Sequence, residues 1–291
     1  MDRAEAGLAG RTDPPAADLL LDVSVVLYHP EERVLAAALA SIAEAAAVVA
    51  ATPTGSVRLW LVDNAERPDP ALLTRLVETS GLAAARVPVT VLSGHGNLGY
   101  GGGHNLAIAR GRGSYHLVLN HDILLDRQAL VEGLRFMEGH PGVVLLCPRV
   151  VNERGEQEYL CKRAPTVLDL ALRGFAPGCL RRRFAGRLAR YEMRDVTGGD
   201  TVFGIEHAGG AFMLFRRTAL ERLGGFDERF FLYFEDFDLS KRAAAIGAVA
   251  YVPAVSMVHY GGKAARKGWR HIGLFVRSAG RYFAKHGWRL A

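Results

Sequence analysis

Four acids in this chain stand where carboxylates can do chemistry: Asp63, Asp122, Glu235 and Asp236. Asp122 closes Tyr115-His-Leu-Val-Leu-Asn-His-Asp122, an apolar run that stops on Asn120-His121-Asp122 and is followed by Ile123-Leu-Leu125. Such a bounded apolar run reads as a buried strand of a parallel sheet, and open α/β sheets bind ligands at the carboxyl ends of their strands. A carboxylate among apolar neighbours needs a partner. A divalent cation carrying a phosphorylated ligand is one reading, and helix capping is the other. Asp63-Asn64 ends a second apolar run, where it can either accept hydrogen bonds from a base or ribose or form a turn. In Phe230-Phe-Leu-Tyr-Phe-Glu-Asp-Phe-Asp238, apolar residues lead directly into Glu235, Asp236 and Asp238. Acids favour a helix start, but three behind an aromatic wall exceed what a cap requires. A partly dry setting also raises a carboxylate's pKa toward general-base values.

Two further features adjoin these acids. Gly94-His-Gly-Asn-Leu-Gly-Tyr-Gly-Gly-Gly-His-Asn105 is dense enough in glycine to let a ligand approach the backbone, and it leads into a helix whose N-terminus favours anions. It lacks the Gly-Lys-Ser/Thr of a phosphate-binding P-loop, and it follows the third strand rather than the first, unlike a dinucleotide fingerprint. His259 ends an apolar run just before Tyr260-Gly-Gly-Lys263, where a structural role and a metal- or phosphate-binding role both fit.

These side chains require a sheet to position them. Strands are expected at Val23–Leu27, Val57–Asp63, Val87–Leu92, Tyr115–Leu119 and Val143–Cys147, alternating with helices at 30–51, 70–79, 104–112 and 128–139. This alternation signals an α/β fold with a mostly parallel sheet covered by helices. Residues 153–207 lose the period and are expected to supply loops and short helices. A strand at 208–215, helices at 218–223 and 235–246, and short strands at 248–252 and 255–259 complete the reading.

Composition sets the outer limits. The 291 residues, 49% hydrophobic and 23% charged, are ordinary for a globular protein with a substantial core. No apolar run of transmembrane length or signal peptide is read, and three unpaired-looking cysteines suit a reducing, cytoplasmic setting. The net charge of +6 does not imply nucleic acid, but it is unevenly spread. Seven arginines fall between Arg173 and Arg194, and the segment after Gly262 carries only basic charge. Both clusters suit anionic phosphates or a solvated helix face.

In order along the chain, the motifs resemble family 2 glycosyltransferases with a glycosyltransferase A fold, specifically the bacterial rhamnosyltransferase-like enzymes of cell-surface polysaccharide (O-antigen) synthesis. The matching pieces are Val23-Ser-Val-Val-Leu-Tyr28, Leu61-Val-Asp-Asn64, Asn97-Leu-Gly-Tyr-Gly-Gly-Gly-His-Asn105 and Leu119-Asn-His-Asp122. Gly209-Gly-Ala-Phe-Met213, Gly224-Gly-Phe-Asp-Glu228, Phe231-Leu-Tyr-Phe-Glu-Asp236 and His259 follow, so the resemblance spans about residues 22–260.

The resemblance implies a Rossmann-like sheet with a smaller mixed sheet on the acceptor side. It implies a donor-binding set of Tyr28, Asp63, Asn97, Gly99, Gly101, Asn105, Asn120, Lys263 and Lys267, with Asp63 on the base. Asp122 and His259 would ligate Mg²⁺ or Mn²⁺; Asn120 replaces the first acid of the family's Asp-x-Asp motif. Asp236 would be the catalytic base, beside Glu235. The implied donor is a dTDP- or UDP-linked sugar, L-rhamnose foremost, and the acceptor a glycan or polyprenyl-diphosphate-linked saccharide. The expected organisation is a leader (1–20), a catalytic domain (21–262, donor half to 150 and acceptor half after it) and a basic amphipathic segment (263–291). That last segment would either lie on a membrane surface or pack back on the domain.

Overall fold

The computed structural model describes residues 19–260 and 269–291; Lys263 and Lys267 and most of the expected leader lie outside them. Four strands run parallel on one side of the sheet: β1 (Leu19–Leu27), β2 (Gly55–Asp63), β3 (Val89–Leu92) and β4 (Tyr115–Leu119). The helices between them are α1 (Glu32–Ala50), α2 (Pro70–Thr79) and α3 (Gly99–Arg110). Pairing continues through β11 (Phe212–Arg216), β6 (Val143–Asn152), β12 (Ala248–His259) and β5 (Ile123–Leu125), giving the order β3-β2-β1-β4-β11-β6-β12-β5. β7 (Gln157–Glu158) and β9 (Val202–Phe203) pair onto this sheet, while β8 (Cys161–Lys162) and β10 (His207–Ala208) form a separate antiparallel pair.

The apolar period explains most of these elements. α1 buries Val34, Leu35, Ala38, Leu39, Ile42 and Val49 along one face, which packs on the sheet. It is long and apolar enough to cross a membrane, an exception to the expectation that no such segment exists, yet half of it is buried inside the protein. α2 starts where Asp69 accepts the Leu72 N–H and Pro70 takes the first turn.

Several boundaries differ from those expected: β1 starts at Leu19 rather than Val23, and β6 runs on past Cys147 to Asn152. α3 begins at Gly99 rather than at 104, because the glycines are packed helical residues and not an open loop. The strand expected at 208–215 is broken at Gly209-Gly210 into β10 and β11. The two strands expected at 248–259 are one strand, with a register shift between Val252 and Ser256 where Pro253 cannot donate to the ladder. The aperiodic stretch after 153 contains α5 (Val167–Gly174), α6 (Gly178–Arg183) and α7 (Ala185–Tyr191), and α5 starts on a Thr166/Asp169 capping box.

Three more helices flank the sheet: α4 (Ala129–Gly139), α8 (Arg217–Leu223) and α9 (Glu235–Ala244). The C-terminal helix α10 (Trp269–His286) packs back on the domain. Tyr282 and Phe283 are buried with Phe230, Phe234, Leu170 and Tyr191. His286 and Lys285 reach Asp238 on α9. Trp269 and Val276 stay exposed.

Under the sheet, Ser24 of β1 bridges His104 Nδ1 of α3 and His116 Nε2 of β4 at 2.8 and 2.9 Å. Burial pushes the His104 imidazole well below its usual pKa and brings His116 and His207 each down to about 3. The unfolded chain therefore binds more protons than the folded one between these values and about 6.5, and stability rises with pH across that window. The stability is fully present above about pH 6.5 and is lost as pH falls toward 3, at up to about 1.4 kcal/mol per pH unit for each histidine. Urea midpoints measured from pH 7 to 4 should fall steeply, and His116→Asn should flatten the slope by about one histidine's share.

Candidate active site

Sheet register brings the motif residues to one edge. Leu27 pairs with Asp63 and Val25 with Leu119, so β1, β2 and β4 end close together. Phe212 of antiparallel β11 pairs with Leu119, and the Asn120 N–H donates to Ala211 O, so Gly209-Gly210 lies beside Asn120. A cavity of about 380 Å³ opens there, with Tyr28, Asn64, Asn97 and Gly99 toward the donor half and Glu235, Asp236, His271 and Leu274 opposite.

Asp236 is half-buried at the start of α9. Its Oδ2 accepts the Gly210 N–H and its Oδ1 the Phe237 N–H, both at 2.8 Å. The two residues ahead of the helix, Tyr233 and Phe234, both have left-handed backbones (φ +69° and +65°), an arrangement that side chains with a Cβ resist. Packing holds them: Phe275 of α10 lies 5.7 Å from the Tyr233 ring and 5.3 Å from that of Phe234.

Burial raises both carboxyls, Glu235 the more strongly, with the Asp236 charge adding to that effect. The two N–H groups on Asp236 oppose the rise, while Glu235 Oε2 is buried without a hydrogen-bond partner. Asp236 is accordingly the more acidic of the pair.

Asp122 lies just behind Asn120 and His121, which line the cavity. His259 on β12 pairs in register with Ile123, placing its Nε2 3.2 Å from Asp122 Oδ2. Its Nδ1 lies 2.8 Å from Glu158 Oε2 on β7. Asp122 raises the His259 imidazole to about 9 against burial, with Glu158 adding to the effect. Burial pushes the Asp122 carboxyl up, but the bond and charge of His259 outweigh it and hold the group below the usual range.

A divalent cation fits this corner. Asp122 Oδ1 is buried and has no partner, and a carboxylate oxygen in that state is a natural ligand. Among the described residues no three His, Cys, Asp or Glu side chains converge into a cage. A hard cation with one or two protein ligands takes its remaining ones from water and substrate phosphate.

Other expected donor residues are placed less directly. Tyr28 lines the cavity and donates to Glu66. Asn97 accepts the Gly99 N–H. Asp63 is buried and its Oδ1 accepts the Ala65 N–H, so part of it does serve the turn. Gly101 and Asn105 do not face the cavity. A Cβ on Gly101 would meet the Phe226 Cβ at 2.8 Å, and Asn105 bonds both backbone groups of Phe226. They hold the turn at Gly224-Gly225, because one side of a helix cannot face both ligand and core.

Three residues at the centre were not singled out from the sequence. Tyr100, the one ring among the glycines, places its hydroxyl 2.6 Å from Gly210 O and 2.9 Å from Asn120 Oδ1. With a single proton it donates to one oxygen at a time. Burial and the charges of Glu235, Asp236 and Asp122 drive this phenol well above its usual pKa, so these acids surround one hydroxyl. Glu158 lies in the aperiodic stretch and gave no periodic signal. Gly210 was visible only as a small residue; a Cβ there would press on Tyr100 and Asp236 at 3.2 and 3.3 Å.

Comparison with known proteins agrees with this geometry. The profile of "Glycosyl transferase family 2" matches residues 24–224, more than half of the chain. Rhamnosyltransferase WbbL of Escherichia coli (strain K12) is 27% identical over 174 residues, 57% of this chain; the chain spans 62% of that protein's length. N-acetylglucosaminyl-diphospho-decaprenol L-rhamnosyltransferase of Mycobacterium tuberculosis (strain CDC 1551 / Oshkosh) is 44% identical over 52 residues, 18% of this chain and 17% of that one. Among solved structures, a mannosyltransferase from Pyrobaculum calidifontis in complex with GDP-Man and Mn²⁺ aligns with a TM-score of 0.60 and 18% identity, covering 94% of this chain and 65% of the other. S. aureus TarS 1–349 in complex with UDP aligns at 0.52 and 15%, covering 91% and 72%.

Glycines in the loop can separate strain from contact. Gly96 and Gly99 both have left-handed backbones, but a Cβ on Gly96 meets nothing within 4 Å and one on Gly99 would lie 2.2 Å from Phe231 O. Gly96→Ala should lose only the conformational cost of about 1–2 kcal/mol. Gly99→Ala should lose clearly more in urea denaturation, since backbone must move to admit it.

Proposed function

From the premise that the chain belongs to glycosyl transferase family 2, we propose that it transfers a sugar from a nucleotide-sugar donor to an acceptor hydroxyl with inversion. L-rhamnose on dTDP is the favoured donor, on the likeness to the two rhamnosyltransferases. The observation that carries the reading is Asp236: a carboxylate fixed by two N–H groups, raised by burial, in a cavity whose opposite wall holds Asn120 and His121.

In this reading the donor lies along the edge formed by Tyr28, Asn64, Asn97 and Gly99, with Asp63 available to the base. Asp122 and His259 would hold Mg²⁺ or Mn²⁺, which would supply positive charge against the departing diphosphate. His259 would ligate as the neutral imidazole, with Glu158 orienting the ring through Nδ1. Asp236 takes the proton of the acceptor hydroxyl as that oxygen attacks the anomeric carbon. Glu235, neutral beside it, adds no competing charge. One base is sufficient for a single displacement with inversion.

The acceptor side follows the mycobacterial relative, whose name specifies a saccharide on decaprenyl diphosphate. A lipid-linked saccharide of that class is the proposed acceptor, met at the cytoplasmic face of a membrane.

The roles separate by substitution. Asp236→Asn should lower kcat by roughly 10²–10⁴-fold in dTDP-rhamnose turnover while dTDP binding with Mn²⁺ persists. Glu235→Gln, which mimics the neutral acid, should stay within about tenfold of the parent; an equal collapse would assign the base to Glu235. Asp122→Ala should abolish the Mn²⁺-dependent part of dTDP binding in calorimetry. Binding of dTDP by the unaltered protein that ignores Mn²⁺ would reject the metal site.

A further inference from the structure

A second cavity, of about 810 Å³, lies between α5, α6, α7 and α10, outside the donor edge. Arg173, Arg181, Arg182 and Arg194 line it together with a single acid, Glu192. Arg173 and Arg194 share that carboxylate, at 3.2 and 2.5 Å. Among the described residues Arg181 and Arg182 have no acidic partner. The wall is therefore strongly cationic, and guanidinium forks match phosphate oxygens in geometry.

Its floor is apolar. Leu170, Leu188 and Phe275 line it; Phe175, whose ring lies 6.3 Å from that of Phe275, is exposed, as is Leu180, the residue before Arg181. Trp269 and Val276, seven residues apart on α10 and so on one helical face, are exposed as well. Cationic walls over an apolar floor suit an anionic head carrying a hydrocarbon chain better than a free anion.

This cavity adjoins the active site. His271 and Leu274 line the catalytic cavity, and Phe275, the next residue, lines this one. Phe275 also packs on Tyr233 and Phe234, the strained pair in front of Asp236. Beneath the arginines, Lys162 is buried; its amine is lowered to about 8 by burial and then by Arg173, and its charge is felt at Asp236.

We propose that the arginine cavity between α5, α6, α7 and α10 binds the diphosphate of a lipid-linked acceptor, with the prenyl chain leaving over Phe175 and Leu180. This rests on the transferase reading above. It adds the place where the acceptor is held: a diphosphate there keeps the attached sugar within reach of Asp236 across the Phe275 wall.

Farnesyl diphosphate in EDTA is the direct probe, because chelation leaves the metal-dependent donor corner unable to compete. The protein should bind it, and the exposed double variant Arg181→Ala/Arg182→Ala should weaken binding by about tenfold or more, the loss of two charge-assisted contacts. Mn²⁺-dependent dTDP binding should be equal in both proteins, which also shows that the variant is folded. Unchanged farnesyl diphosphate affinity in the double variant would overturn the proposal. Inorganic diphosphate binding as tightly as farnesyl diphosphate would overturn it by making this a plain anion site. An equal, arginine-dependent affinity for phosphatidylglycerol vesicles would replace it with general membrane attraction. Failure of dTDP to bind the parent protein would reject the transferase reading instead, leaving the farnesyl diphosphate result to stand on its own.

Discussion

The carboxylate of Asp236 is held by two backbone N–H groups from different elements, and the elements that follow β6 are arranged around that contact. Phe237 N belongs to the first turn of α9, so its bond depends on where that helix begins. Gly210 N belongs to the break between β10 and β11, so its bond depends on the strand being interrupted there. The helix start is set by two consecutive left-handed aromatic residues. Left-handed backbone costs free energy at each, and the offset is the aromatic packing supplied by α10, more than thirty residues later in the chain. The N–H groups fix the position of the Asp236 carboxylate and oppose the rise in its pKa that burial produces.

The Asp122–His259 corner is built on the other principle, of sheet register. β5 is only three residues long, yet its pairing with β12 sets Asp122 against His259, and β7 adds Glu158 behind the ring. Three groups of alternating charge preference thus share two hydrogen bonds, leaving one Asp122 oxygen over. The two corners meet at Tyr100, whose hydroxyl lies within reach of Gly210 and Asn120 together. Its cost is a phenol held among acids; its effect is to tie the Gly210–Asp236 side of the cavity to Asn120 through one group.

Much of this was legible beforehand. The alternating apolar runs located β2, β4 and α2 closely, because short buried strands and a capped amphipathic helix are local patterns. The family and its fold, expected from the ordered motifs, are borne out by the profile match and the structural likeness. What periodicity misread were glycines. Gly99–Gly103 looked like an open loop and is helix, since glycines there admit Phe231, Phe226 and Val26 rather than only a ligand. Asn105 and Gly101 shared a motif with Asn97 but face the other way, because a helix turns its residues through both its buried and its open sides.

The sequence by itself determined that acids end the buried strands, that a glycine-dense segment lies beside them, and that a second acid pair follows an aromatic run. Those are properties of residue order and hydrophobic period. Which acid of the pair is the more acidic, that Glu158 stands behind His259, that Tyr100 joins the two corners, and that arginines from α5, from α6 and from the turn after α7 meet beside α10 were decided only by tertiary structure. The reason is physical: proton sharing depends on burial and on backbone donors contributed by distant segments, and neither burial nor such contacts is a function of local sequence.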